Sequence, residues 1–491
     1  MCFRNLRLRQ TIFLFFLFCL FATAARAQEI EATVKILSLS PAKVRVEGKI
    51  SVDAGKNWSF LQNYADVTNL GERIENLKLF DAQAREIFIK KLASGEFEAE
   101  KIPASFQYEV RTEIPQALTA SAHVSWLAAT HGLLMPGDLM PQNLHNLNAK
   151  ITFELPENWR VTTSETWAGE KTFSVETIEK AVFLVGKDWR EQSKQIEKTE
   201  LHLATFGEWQ FTGAEAFEIA ETILAEHHKT FGEIPFPKTQ ILLLPFPQTA
   251  SFERWRAETR GSTVTIISAP TTFKSAAVNR LHEQLRHELF HLWIPNALNL
   301  SGNYDWFYEG FTLYKALKTG VALNQIRFDD FLSTLGRAFD LTEALSRRQS
   351  VSLIEASNKR WINSNELIYA KGIVVAFLCD ATLLRESRGK RDLDSIFREI
   401  FQKHRAPNPE EDGNAAILRI LKSRAELVQL AEKYIEGNSK IDWQNNLQTF
   451  GIGAEKTSGA THLKVIPKPN GRQKDLLNKL GYNQWRRLLQ K

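Results

Sequence analysis

The stretch His287-Glu288-Leu289-Phe290-His291 decides the reading, together with Trp306-Phe307-Tyr308-Glu309-Gly310, whose Glu309 stands 18 positions after His291. On an α-helix, side chains at i and i+4 lie almost above one another, so His287 and His291 present two imidazoles to one point. Glu288 falls beside them, within reach of a water on a bound metal but angled away from direct ligation. A catalytic zinc takes three protein ligands and keeps a fourth position open, and two histidines with one glutamate form such a set. Glu309 completes it if the chain reverses between the two segments. A histidine pair on an apolar helix can also be two packed core residues. A carboxylate at this spacing on a second helix favours the metal.

The intervening residues allow that reversal. A helix over about 275–294 carries the histidines, and Pro295 cannot continue it. Residues 296–305 hold Asn, Ser and Gly in the manner of a loop. From Trp306 to Leu317 the pattern is helical again, with Phe307, Phe311, Tyr314 and Leu317 on one side and Gly320 as the stop.

His287-Glu288-Leu289-Phe290-His291-Leu292-Trp293 and the run from Trp306 to Tyr314 resemble the gluzincin metallopeptidases. The likeness is greatest to the glycyl-aminopeptidase-type family and more distant to the aminopeptidase N catalytic domain. Tyr369-Ala370-Lys371-Gly372, 60 positions after Glu309, is similar to the Tyr-x-Lys-Gly of both, and the likeness runs from about residue 30 to 455. The resemblance implies a zinc-dependent peptidase with one Zn2+ per chain on His287, His291 and Glu309, acting on a peptide or protein. Glu288 is then the general base and Tyr369 the donor to the developing oxyanion, with Thr312 available to orient a ligand. Two departures stand out. The 17 residues between His291 and Glu309 are one fewer than the usual aminopeptidase N gap. Both families also hold the substrate amine with a glutamate on an edge strand ahead of the zinc helix. The stretch assigned to that strand, Gly261-Ser262-Thr263-Val264-Thr265, has no carboxylate, and Glu258 is the nearest acidic residue before it. Aminopeptidase and endopeptidase readings therefore both stay open. The competing class is a catalytically inactive exported binding or scaffold module. Glu288 and Tyr369 argue against it, because a structural zinc needs neither and more often closes its fourth position with Cys or His.

At 491 residues, with 43% hydrophobic and 24% charged residues, the chain suits a globular protein of two or three domains. Its net charge of +5 includes Arg4, Arg7, Arg9 and Arg26 of a segment expected to be removed. With no acidic residue before Gln28, taking those four away leaves about +1, and no electrostatic case for nucleic acid or an anionic membrane. That segment has a basic start, an apolar run from Ile12 to Ala22 and Ala25-Arg26-Ala27 before Gln28, the form of a cleavable secretory signal. The expected location is periplasmic or secreted, with no transmembrane segment in the mature chain. Cys2 and Cys19 would leave with the signal, so Cys379 remains alone and no internal disulfide is possible.

The expected class is α+β: a signal over 1–27, a β-rich N-terminal domain over 28–200, a thermolysin-like mixed α/β catalytic domain over 201–405, and a helical C-terminal portion over 406–491. Strand alternation is clear at Val44 and Val46, at Phe106, Tyr108 and Val110, and at Ile151, Phe153 and Leu155. The segments 58–61 and 131–139 read as loops. His123, His131 and His145 lack partner spacing and read as structural. Thr212-x-x-Glu215 opens a helix as a capping box, and short buried strands follow at 241–244 and 264–267. Residues 363–384 read as a buried helix, and 415–433 as an amphipathic one. The last 40 residues leave no room for a whole PDZ module.

Overall fold

The computed structural model describes residues 29–65, 67–251 and 254–483. The expected signal, with Cys2 and Cys19, and the basic Arg486, Arg487 and Lys491 lie outside the described residues.

Period-two alternation builds the first half. Ile30–Leu39 and Ala42–Ile50 pair antiparallel with Val34 opposite Val46, and Ser105–Arg111 adds on the far side with Tyr108 opposite Val46. Ala149–Glu154 runs parallel to the first of these strands. The inward residues Val44, Val46, Tyr108, Val110 and Ile151 are fully buried, and this loss of apolar area from water drives the eight-stranded sheet together. A second sheet of four strands includes His131–Leu134 and Phe183–Gly186. Its Trp126, Leu133 and Leu184 pack with Leu242, Leu244 and Ile267, joining the β-rich half to the sheet that follows. Two expected loops are therefore structured. Trp58 lies in the strand Asn57–Ser59, and the 131–139 segment is a strand followed by the short helix Pro136–Leu139. Strand His131–Leu134 is buried along its whole length, so it shows no alternation.

The mixed sheet has five strands in the order Arg190–Ile196, Thr199–Thr205, Lys238–Leu244, Thr263–Ser268, Trp255–Arg260. The middle three are parallel, and Trp255–Arg260 runs antiparallel at the edge. The capping box forms as the sequence predicts: the Thr212 side chain accepts from the Glu215 amide, and the helix Gly213–Phe231 ends at Gly232 with φ 85°. Helix Asn365–Glu386 matches the expected buried helix, and among the described residues Arg360–Glu386 is the one helical stretch long and apolar enough to cross a membrane. Of its most apolar window 94% is buried, against a core that runs from Leu201 to Leu480. Cys379 is buried within it as a free thiol. The expected amphipathic helix at 415–433 is broken into Gly413–Lys422, Ala425–Leu430 and a π-turn at Ala431–Glu436. An antiparallel hairpin, Ile452–Thr457 with Ala460–Val465, follows the helices.

Candidate metal centre

The histidine helix is α-helical over Lys274–Glu288 and tightens to a 3-10 turn at Leu289–Leu292. It ends several residues before the expected 294, so His287 sits on the α-helix and His291 on the tighter turn. The second segment opens as a π-turn, Trp306–Phe311, which carries Glu309, and continues as the helix Thr312–Ala322. The expected stop at Gly320 is passed through. A single extra residue in a helical turn re-aims the side chains on it, and such turns are frequent at functional sites. Helix Asn365–Glu386 crosses this π-turn at two glycines. A Cβ on Gly310 would lie 2.6 Å from the Gly372 Cα, and one on Gly372 equally close to the Gly310 Cα. The final glycine of Tyr369-Ala370-Lys371-Gly372 thus serves to bring Tyr369 against Glu309.

The three candidate ligand atoms converge. His287 Nε2 is 3.0 Å from His291 Nε2 and 3.2 Å from Glu309 Oε2, and His291 Nε2 is 3.7 Å from the same oxygen. Zinc bonds of about 2.0–2.1 Å in a tetrahedron imply ligand–ligand edges of roughly 3.3–3.4 Å. The observed edges bracket that value, so the three atoms fit a small tetrahedral cation. The ring orientation agrees: His291 Nδ1 donates to the Ile294 carbonyl at 2.9 Å, which turns Nε2 toward His287 and Glu309 as the nitrogen that could ligate. The side chains of His287, His291 and Glu309 retain 12, 8 and 10% exposure, so they are largely shielded from bulk solvent. Among the described residues no other cluster of His, Cys, Asp and Glu converges in this way.

Charge is shared around these atoms. Burial pushes the Glu309 carboxyl up, but the Arg360 guanidinium and the two histidines outweigh it and hold it well below the usual carboxylate range. Burial pulls His291 down, while its hydrogen bond with Glu309 and that carboxylate's charge turn the net shift upward. Burial, with Glu309 nearby, raises the Tyr369 phenol well above 10, so Tyr369 stays a proton donor near neutral pH. Glu288, 5% exposed, accepts the Thr259 hydroxyl at 2.8 Å on Oε2, and the same hydroxyl lies 2.8 Å from the Glu288 backbone oxygen.

All five sequence-predicted residues, His287, Glu288, His291, Glu309 and Tyr369, are brought together. Thr312 is not part of the arrangement, since its buried hydroxyl has no partner. Glu309 Oε1 instead accepts from Arg360 Nη2 at 2.9 Å. His123, His131 and His145 stay away from the centre: His131 stacks on Phe206 at 3.9 Å, and His145 meets the Met140 carbonyl.

The edge strand needs correction. It is Trp255–Arg260, while Gly261 and Ser262 form the turn and Thr263–Ser268 is an inner strand. The edge strand therefore does carry a carboxylate, Glu258. Successive side chains leave a strand on opposite faces. Thr259 faces Glu288, and Glu258 turns into a cavity of about 250 Å³ lined also by Tyr64, His123, Asp138, Lys180 and Asn296. There Glu258 meets Tyr64 Oη at 2.5 Å, His123 Nδ1 at 3.1 Å and Arg260 Nη2 at 3.1 Å. Burial alone would raise it, but Arg260 and His123 hold it down to about 2.

Arg360, Thr259 and Asn296 were not singled out from sequence. Asn296 bridges the Thr259 and His291 carbonyls at 2.9 and 3.1 Å. The available signal was indirect: a buried ligand carboxylate needs a cation for its second oxygen.

Comparisons with known proteins agree with this architecture. Residues 63–182 match the family described as the Peptidase M61 N-terminal domain. An aminopeptidase N family protein from Idiomarina loihiensis has a similar crystal structure, with TM-score 0.74 and 16% identity over 87% of this chain and 79% of that one. A mutant M1 zinc metallopeptidase from Deinococcus radiodurans, bound to a Tyr-Ser-Ala substrate, aligns with TM-score 0.54 and 12% identity over 84% of this chain and 95% of that one. No curated protein matches the sequence. These matches bear out the resemblance to gluzincin-type peptidases and the α+β fold.

Proposed function

We propose that this chain is a zinc-dependent peptidase whose cleavage does not require a free substrate N-terminus. The observation that carries the reading is the convergence of the His287, His291 and Glu309 ligand atoms beside a carboxylate, Glu288, that ligates nothing and is held by Thr259. Zinc bound there would lower the pKa of a coordinated water toward neutrality and polarise a carbonyl. Glu288 takes the attacking water's proton and passes it to the leaving amine. Tyr369 donates its hydroxyl proton toward the carbonyl oxygen as charge gathers on it, a contribution of a few kcal/mol. The peptide lies along the edge strand Trp255–Arg260, whose outer side has no strand partner among the described residues. Residues 1–27 would export the chain to the periplasm or beyond.

The end preference rests on Glu258. A carboxylate already shared by Arg260, His123 and Tyr64 has little left to offer an α-ammonium, which would also arrive beside the Arg260 charge. An aminopeptidase reading is favoured by one fact, that Glu258 does lie on the edge strand. Matched peptides with free and acetylated N-termini, given to purified zinc-loaded protein, separate the two. Cleavage of both within tenfold in kcat/KM is the expected result. A hundredfold loss on acetylation, about 2.7 kcal/mol, assigns amine binding to the site. Bound zinc with no cleavage of either peptide returns the chain to the binding-module class.

A further inference from the structure

Arg360 begins a π-turn, Arg360–Ser364, just ahead of helix Asn365–Glu386, and all of its guanidinium nitrogens are engaged. Nη2 donates to Glu309 Oε1 at 2.9 Å and to Tyr369 Oη at 3.1 Å. Nη1 donates to Asp305 Oδ1 at 2.6 Å and lies 3.3 Å from Tyr308 Oη, while Nε meets Asn365 Oδ1 at 3.2 Å. The half-exposed Trp361 ring covers one face, with the guanidinium carbon 4.5 Å from the ring centroid.

We propose that Arg360 is a positioning residue that fixes a metal ligand and the oxyanion donor with one nitrogen; this rests on the peptidase reading above. A carboxylate has two equivalent oxygens, and either or both can ligate. With Oε1 held by Arg360, Oε2 is the oxygen that faces His287 and His291, so Glu309 would offer a bound metal a single oxygen. Tyr369 Oη accepts from the same nitrogen, so one guanidinium edge sets where the phenol oxygen stands relative to Glu309. Asp305 anchors the other end of the guanidinium, with Oδ1 2.6 Å from Nη1, and so fixes the plane in which Nη2 meets Glu309 and Tyr369. Only a planar fork can meet Glu309, Tyr369 and Asp305 at once. A lysine offers a compact ammonium on a flexible stem, which cannot reproduce the planar fork.

The test is Arg360→Lys, which keeps the charge, with Arg360→Met as a second variant. Zinc affinity is read by competition against a chromogenic chelator, and kcat and KM on a good peptide substrate. Arg360→Lys is expected to weaken zinc binding and lower kcat, each by about 10–100-fold, with KM changed less than threefold and the unfolding midpoint retained. In the Tyr369→Phe background the same change should cost kcat less than it does in the wild type, since the two groups act as a unit. Zinc affinity and kcat both within twofold of wild type in Arg360→Lys would overturn the proposal, as would full independence from Tyr369→Phe with zinc affinity unchanged. Chelator competition needs no substrate. A wild type that binds zinc but cleaves nothing defeats the peptidase reading alone, and the Arg360–Glu309 link is then judged on zinc affinity by the same limits.

Discussion

Thr259→Val is the most direct probe of how the proposed general base is aimed. Valine matches threonine in shape and β-propensity, so the edge strand loses one hydroxyl and nothing else. That hydroxyl has a single proton set between two acceptors at 2.8 Å, Glu288 Oε2 and the Glu288 backbone oxygen. A hydrogen bond to a charged group contributes about 1.5–3 kcal/mol. Division between two acceptors puts the carboxylate's share near the lower bound, or roughly tenfold in rate. The expected outcome on a good peptide is therefore a fall in kcat of about tenfold, with KM, zinc content and unfolding midpoint close to wild type. Thr259→Ser, which keeps the hydroxyl, should recover most of the loss. In a Glu288→Gln background Thr259→Val should change little, because the group it orients no longer accepts a proton. A kcat within twofold of wild type would refute the reasoning, and loss of zinc would show that Thr259 acts through the histidines.

Elemental analysis should find about one zinc per chain, and His291→Ala or Glu309→Ala should lose it. Glu288→Gln should keep zinc but lose nearly all turnover, while Tyr369→Phe should keep zinc and lower kcat by about 10²-fold or more with a smaller change in KM. Stability should fall with acid: burial holds His131 down to about 4, and burial with the Lys315 charge holds His227 down to about 3. The unfolded chain then binds protons near 6.5 that the folded chain refuses. Stability is full above that pH and is lost below it, by up to about 1.4 kcal/mol per pH unit for each histidine, until the folded values are reached. Denaturant midpoints from pH 7 to 4.5 check this, and His227→Gln should flatten the slope if it folds.

Chemistry was more legible in the sequence than geometry. The three candidate ligands, Glu288 and Tyr369 are short-range signals, fixed by helical spacing or by a four-residue motif, and the structure gathers all five. What was missed lies where burial removes periodicity or where tertiary packing chooses the partner. His131–Leu134 is buried on both faces and shows no alternation to read. Glu309 needed a cation for Oε1, but nothing local says that it arrives 51 residues later on a π-turn.

The edge strand shows most plainly how topology alters a functional reading. Trp255–Arg260 is only intermediate in burial along its length, and its sequence alternates neither cleanly nor apolarly. Thr263–Ser268 is fully buried and looked like the strand that matters. A sheet places its most apolar strands at the centre and leaves the mixed one at the rim, where one side of the backbone is unpaired. The rim is also where an extended peptide can add, so the strand with the weakest signal is the one beside the candidate metal centre. Its two central side chains then divide the work by pleat alone. Thr259 turns to Glu288, and Glu258 turns to the cavity on the other face, where it meets Arg260, His123 and Tyr64. The charge of this carboxylate at the rim is already answered by a cation two residues along the same face, which is why the proposed reading gives it no amine to bind. Removing that cation, as in Arg260→Gln, is the change that would turn Glu258 into an amine acceptor, and free-N-terminus peptides should then gain over their acetylated forms.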